Sequence, residues 1–148
     1  MIYLVHHADA VGAEVEPQRP LSPSGRAHAE ALATQAAAKG VKPVAIWHSG
    51  KLRARQTAEP FLRFCNPLAE FAAIHGLQPS DAPTWIRDLV TAEYRDVMDV
   101  MFVGHMPNLP RVLTLLVNGD ESSLLSFPLH GMIALEAAGE RWRETWRL

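Results

Sequence analysis

Hydrophobic positions along the chain alternate between two periods. Residues 2–5, IYLV, form a short unbroken apolar run rich in β-branched and aromatic side chains, the pattern of a strand buried on both faces. PVAIW at 43–47 and VMFV at 100–103 repeat it, and residues 70–74 form a weaker version. Between these runs the pattern changes to helical spacing. Ser22 is placed as an N-cap with Pro23 at the first helical position, and Gly40 closes an Ala-rich helix. HSGKLRARQTAE leads from a loop into a second helix, which Pro60 is expected to end or kink. A third helix is predicted over about 83–97, with Trp85, Ile86, Leu89, Val90 and Val97 at helical spacing. A fourth carries Leu109, Val112, Leu113, Leu116 and Val117 and stops at Asn118-Gly119. MIALE, an AAGE turn and RWRETWRL then predict a hairpin, with Trp142 and Trp146 alternating with arginines as on a half-exposed edge strand.

Strand–helix alternation followed by a hairpin predicts an α/β fold: a three-layer α/β/α sandwich. Its central sheet is mostly parallel, with helices on both faces and an antiparallel C-terminal edge hairpin. Residues 1–148 are expected to form one domain, since no linker, repeat or low-complexity tract interrupts them. The formal net charge of -2 gives no basic field for nucleic acid or an anionic membrane. One cysteine, Cys65, cannot pair internally, and the opening apolar run is too short for a signal peptide; the expectation is a cytoplasmic protein without a membrane partner.

Ligands of such sheets bind beyond the carboxyl ends of the strands, which makes the histidine positions informative. His6-His7, His48 and His105 each end a predicted strand, and Arg53 and Arg55 open the helix after the second. Imidazoles, guanidiniums and a helix N-terminus suit a phosphoryl group. Position alone leaves a shared site and separate structural histidines about equally supported. Competing chemistries lack their spacing: there is no H-E-x-x-H, no Walker loop, and Phe71 stands where a C-x5-R motif needs arginine. Cys65 therefore reads as a packing residue. A histidine nucleophile remains, because an imidazole nitrogen can accept a phosphoryl group.

LVHHADA is similar to the LxxRHGxA signature of the histidine phosphatase superfamily, and HSGKLRARQTAE to its S-x-x-x-R-A-x-x-T-A element. FVGHMP matches the family's G-H element, and RPLSPSGRAHA resembles the R-P-L-T-x-x-G segment of the SixA-type phosphohistidine phosphatases. The resemblance implies a phosphoglycerate-mutase-like fold and a phosphatase needing neither metal nor cofactor. It makes His7 the nucleophile, with Arg53 and His105 binding and stabilising the phosphoryl group, and Arg19 and Ser49 bordering the pocket. Asp81 is the first candidate for the acid that protonates the leaving group, also readable as a helix N-cap, and Asp9 is the second. The chain departs from the family at His6, which stands where the signature has arginine; Ala8 replaces a glycine. The expected substrate is a phosphohistidine-bearing protein, because no insertion is long enough to build a lid. The alternatives are a phospho-binding protein weakened by His6, or a phosphomonoesterase acting on a small phosphorylated substrate. His28 is expected on the surface and His75 to be incidental; His130, before the last hairpin, is placed where it could approach the pocket, although a structural role is the first expectation.

Overall fold

The computed structural model describes residues 1–93 and 98–148; the end of the predicted third helix, including Val97, lies outside the described residues. Ten elements follow in chain order: β1 (Ile2–His6), α1 (Pro23–Ala38), β2 (Ala45–His48), α2 (Leu52–Cys65), β3 (Glu70–Ala73), α3 (Thr84–Glu93), β4 (Val100–Gly104), α4 (Asn108–Asn118), β5 (Met132–Ala138) and β6 (Arg141–Arg147). The six strands form one sheet in the order β3-β2-β4-β1-β5-β6. β1, β2, β3 and β4 run parallel, whereas β5 pairs antiparallel with both β1 and β6. This is the expected architecture, with the hairpin at one edge.

The alternation of side chains along a strand divides the core in two. Ile2 and Leu4 face a cluster containing Ile86 and Val90 of α3 and Leu109, Val112, Leu113 and Leu116 of α4. Tyr3 and Val5 face the opposite layer, where Leu32, Ala33 and Ala36 of α1 meet Ala54, Ala58 and Phe61 of α2. β1 and β4 are buried at every position, which accounts for their unbroken apolar sequences. Small residues on α1 and α2 let these helices lie close to each other and to the sheet. Cys65 is buried in this layer and burial pushes its thiol up to about 11, so it packs rather than reacts.

Two expectations are narrowed in detail. Of the two outcomes expected at Pro60, an end does not occur, because α2 runs on to Cys65. Pro60 and Phe61 are buried, and the apolar contact outweighs the one backbone hydrogen bond that proline removes. Trp142 and Trp146 do not share a face, as strict alternation would require. Ala134 opposes Trp146 while Leu135 opposes Glu144, so Thr145 is an extra residue and the strand changes face there. Trp142 joins the α3–α4 cluster and Trp146 packs against the α1–α2 cluster.

The loops that shape the sheet's carboxyl end are held by specific contacts. Ser22 Oγ accepts from the Gly25 N–H, the expected N-cap, and donates to Asp9 Oδ2 at 2.6 Å. Gly25 is required by proximity: a Cβ there would lie 2.0 Å from the Asp9 carbonyl oxygen. Thr57 Oγ1 accepts from Ala8 N–H at 2.9 Å and donates to the Arg53 carbonyl at 2.7 Å, tying the end of β1 to the first turns of α2.

Candidate active site

β1 and β4 are neighbours, and His6 pairs with Gly104, so both strands deliver histidines to the same edge of the sheet. The His6 and His7 rings lie 4.5 Å apart, and the His7 and His105 rings 5.0 Å apart. His130, from the loop leading into β5, completes the group: its ring stacks on His6 at 5.0 Å and 9°, and lies 6.0 Å from His7. Of the two readings the sequence leaves for His130, this is the one in which it approaches the pocket, and its place before the hairpin is the only signal of it.

The hydrogen bonds assign the imidazole protons. His7 Nδ1 lies 2.7 Å from the Ala8 carbonyl, an acceptor only, so Nδ1 carries the proton and the Nε2 lone pair is free. His130 Nδ1 likewise donates to the His7 carbonyl at 2.7 Å. The His130 backbone N–H donates to His6 Nδ1 at 2.9 Å. His28, on α1, donates from Nε2 to the His130 carbonyl at 2.8 Å, so it too has a partner beside the site. Lys51 N–H donates to Ser49 Oγ at 3.2 Å, and Ser49 Oγ shares a hydrogen bond with His105 Nε2 at 2.7 Å. His105 Nδ1 is buried without a partner.

Burial lowers the proton affinity of these rings first, and neighbouring groups lower it further. His7 falls to about 4; the Ala8 carbonyl opposes the shift, and Arg53, His130 and Arg19 add to it. His6 and His105 fall to about 3, by burial and then by neighbours that include His7 and Arg53. At neutral pH His6, His7 and His105 are neutral imidazoles beside two guanidiniums.

Arg53 lies in the first turn of α2, whose N-terminus has no side-chain cap. Its Nε is buried without a hydrogen-bond partner. Arg19 adopts a left-handed backbone at φ 51° and donates from Nε to the Val11 carbonyl at 3.1 Å. Both cations depress protonation of His7. A cleft of about 430 Å³ lined by residues including Gln18, Gly50, Lys51 and Arg53 opens beside them. Another cleft, of about 520 Å³, lies between the C-terminal end of α4 and the β5–β6 turn, away from the strand ends and without a histidine.

Two sequence candidates make their contacts outside the ring cluster. His48 is buried, 5.1 Å from the Phe71 ring, and accepts the Gly50 N–H at Nδ1; the next residue, Ser49, is the one that reaches His105. Asp81 Oδ2 accepts from the Gly76 and Gln78 N–H groups, and its carbonyl accepts from Asn108 Nδ2. The loop it closes joins the site through Gln78, whose Nε2 donates to the Ser49 carbonyl at 2.6 Å.

His6, His7 and His130 each offer a ring nitrogen within 4.8 Å of the others, a spacing that a metal ion could use. Only His7 and His130 present lone pairs, because that of His6 Nδ1 is taken by the His130 amide.

A lone-pair-bearing imidazole beside guanidiniums at the carboxyl end of a parallel sheet is an arrangement suited to holding a phosphoryl group. The sequence model of the histidine phosphatase superfamily (branch 1) matches residues 2–85, and the chain belongs to that family. Its activity class is that of a phosphatase. Over 99% of its length the structure resembles the protein histidine phosphatase SixA complexed with tungstate, covering 95% of that chain, with a TM-score of 0.87 and 19% identity. A protein from Agrobacterium tumefaciens assigned as phosphohistidine phosphatase SixA aligns over 99% of this chain and 96% of its own, with a TM-score of 0.81 and 28% identity. The alpha-ribazole phosphatase from Shigella flexneri shares the fold at a TM-score of 0.74 and 15% identity, over 97% of this chain and 94% of that one. Comparison with curated proteins gives no match. No helix among the described residues is long and apolar enough to cross a membrane.

Proposed function

We propose that the chain is a single-domain, metal-independent phosphatase that works through phospho-His7 and acts on phosphohistidine presented by another protein. The observation that carries this reading is the His7 tautomer: Nδ1–H is held by the Ala8 carbonyl, and Nε2 keeps its lone pair beside Arg53 and His105. Nε2 attacks phosphorus, the P–N bond of the substrate breaks, and the leaving imidazole takes up a proton. Water then attacks phospho-His7, releasing inorganic phosphate and restoring the neutral ring.

Arg53 binds the equatorial oxygens through the guanidinium whose Nε has no protein partner, and His105 donates from Nδ1 to the same group. Arg19 supports the anion from the 8–21 loop, and Ser49 orients His105. Asp81, with Oδ1 outside the hydrogen bonds that hold its loop, is the proposed proton donor to the leaving group. With positive charge supplied by side chains, the transfer needs no metal.

Short connections favour a protein substrate: three residues, 49–51, join β2 to α2, and three, 105–107, join β4 to α4. A phosphorylated side chain on a protein surface can reach a site bordered by such loops. The phosphohistidine phosphatases named among the structural relatives support the same substrate. The test is phosphate release in the presence of a chelator, comparing a phosphohistidine protein with aryl and sugar phosphates. Preferential release from phosphohistidine is expected. Faster turnover of the small esters would make the chain a phosphomonoesterase, and binding without release would make it a phospho-binding protein.

A further inference from the structure

His6 occupies the position at which an arginine would present permanent charge and several donors to a phosphoryl group, and an imidazole cation would be its nearest substitute. The hydrogen bonds point elsewhere. We propose that His6 serves the phosphoryl group as a neutral hydrogen-bond donor, its proton fixed on Nε2 because the His130 backbone amide occupies Nδ1. This rests on the reading of the cluster as a phosphoryl site and assigns how its altered position works.

His6 is 4% exposed, and its ring is flanked by His7 at 4.5 Å and His130 at 5.0 Å. The His130 N–H meets its Nδ1 at 2.9 Å. A neutral imidazole that accepts at Nδ1 must carry its proton at Nε2. Turning His6 into a cation would place a second proton on Nδ1, directly against that amide.

The amide cannot readily move aside. His130 has a left-handed backbone at φ 54°, its Nδ1 donates to the His7 carbonyl, and its carbonyl accepts from His28. Gly131, next along, is pressed against Leu148: a Cβ there would lie 2.2 Å from the Leu148 carbonyl oxygen. The ionisable groups acting on His6 are His7, His130 and Arg53, and none is a carboxylate that could favour a cation. Its low proton affinity agrees with this arrangement. The described hydrogen bonds occupy His6 at Nδ1 and leave Nε2–H available to an anion. His130 is therefore a positioning residue: its amide sets the tautomer and its ring supports that of His6.

The same bond argues against a three-histidine metal site. His6, His7 and His130 are close enough, but with the His6 Nδ1 pair committed and Nε2 protonated, two ligands remain.

Imidazole 1H–15N correlation spectra of the full chain test the assignment directly. His6 is expected with Nε2 protonated and Nδ1 bare at pH 7, while His7 and His130 show Nδ1 protonated. Inorganic phosphate should shift the His6 Nε2–H signal. An Nδ1–H tautomer or an imidazolium at His6 would overturn the proposal. So would stoichiometric zinc binding that disappears in His6→Gln, because it would show a free His6 lone pair.

Kinetics supply the second arm. Glutamine places an amide N–H near the Nε2 position, so His6→Gln should keep more activity than His6→Ala, which should lose about ten- to a hundredfold in kcat/KM. Between pH 5 and 8 the ratio of wild-type to His6→Gln kcat/KM should be flat. A ratio that falls as pH rises would identify His6 as a cationic donor and refute the neutral one. If phosphate shifts His6 Nε2–H but no phosphohistidine is hydrolysed, the phosphatase reading fails and the neutral donor stands. If phosphohistidine is hydrolysed while phosphate leaves His6 Nε2–H unshifted, the phosphatase stands and the neutral donor fails.

Discussion

Ser49→Ala removes a single oxygen that serves two buried groups. Ser49 is 5% exposed; its Oγ accepts from the Lys51 N–H at 3.2 Å and is hydrogen-bonded to His105 Nε2 at 2.7 Å. Leaving buried polar groups without partners costs about 1–3 kcal/mol, so a stability loss of about 2 kcal/mol is expected. For a chain of this size that corresponds to a Tm lower by roughly 4–8 °C. The catalytic effect is separate. In the proposed role of His105 the Ser49 hydroxyl donates to Nε2; without it, His105 can protonate at Nε2 and turn an acceptor, not a donor, toward the phosphoryl oxygens. Losing one donor to an anion costs about 1.5–3 kcal/mol, or about ten- to 150-fold in rate. The assay is steady-state kcat and KM on a phosphohistidine protein, measured well below the variant's Tm. Most of the loss should fall on kcat, and Ser49→Thr, which keeps the hydroxyl, should recover much of it. A Ser49→Ala enzyme within threefold of wild type in kcat/KM, with only its Tm reduced, would refute the orienting role and leave Ser49 a packing residue.

Two further outcomes follow from the same contacts. The folded state holds His6 and His105 to about 3 and His7 to about 4, against 6.5 in an unfolded chain. Their contribution to stability is therefore fully present above pH 6.5 and is lost progressively as pH falls toward 4, because the unfolded chain takes up protons that the folded one refuses. The slope approaches about 1.4 kcal/mol per pH unit for each histidine. Urea midpoints should drop from pH 7 to pH 5, and a flat or rising profile would contradict the burial argument. Gly25→Ala should lower the Tm even though alanine favours a helix by about 0.5–1 kcal/mol, because its Cβ would lie 2.0 Å from the Asp9 carbonyl. A raised Tm would show that the 8–21 loop yields freely.

The α/β/α order is legible in the sequence because the central parallel strands are apolar along their length and each helix keeps its own period and stop signals. β1 and β4 carry their histidines at the point where the apolar run ends, which is why the pattern makes His7 and His105 candidates for one edge, and the family resemblance pairs them. Arg53 is legible for a similar reason, lying just after β2 at the head of a helix. What escapes depends on contacts distant in sequence or on a local irregularity. His130 meets His6 across 124 positions, through a loop with no motif of its own. Trp146 changes face through one extra residue opposite Ala134-Leu135, which an alternating pattern cannot announce. His48 ends its strand like the others but sits on β2, next to the edge strand β3, and packs on Phe71. Its neighbour Ser49 makes the contact with His105.

The central claim is that His7 Nε2 carries the phosphoryl group during turnover. Acid-labile phosphate on this residue should be trapped by rapid denaturing quench of the enzyme mixed with a phosphohistidine protein, then located by peptide mass spectrometry under alkaline conditions. The account predicts label on the peptide containing His7, appearing before free phosphate, and loss of both label and phosphate release in His7→Ala. Phosphate release that persists in His7→Ala, or label that maps to His105 or His130, would contradict it.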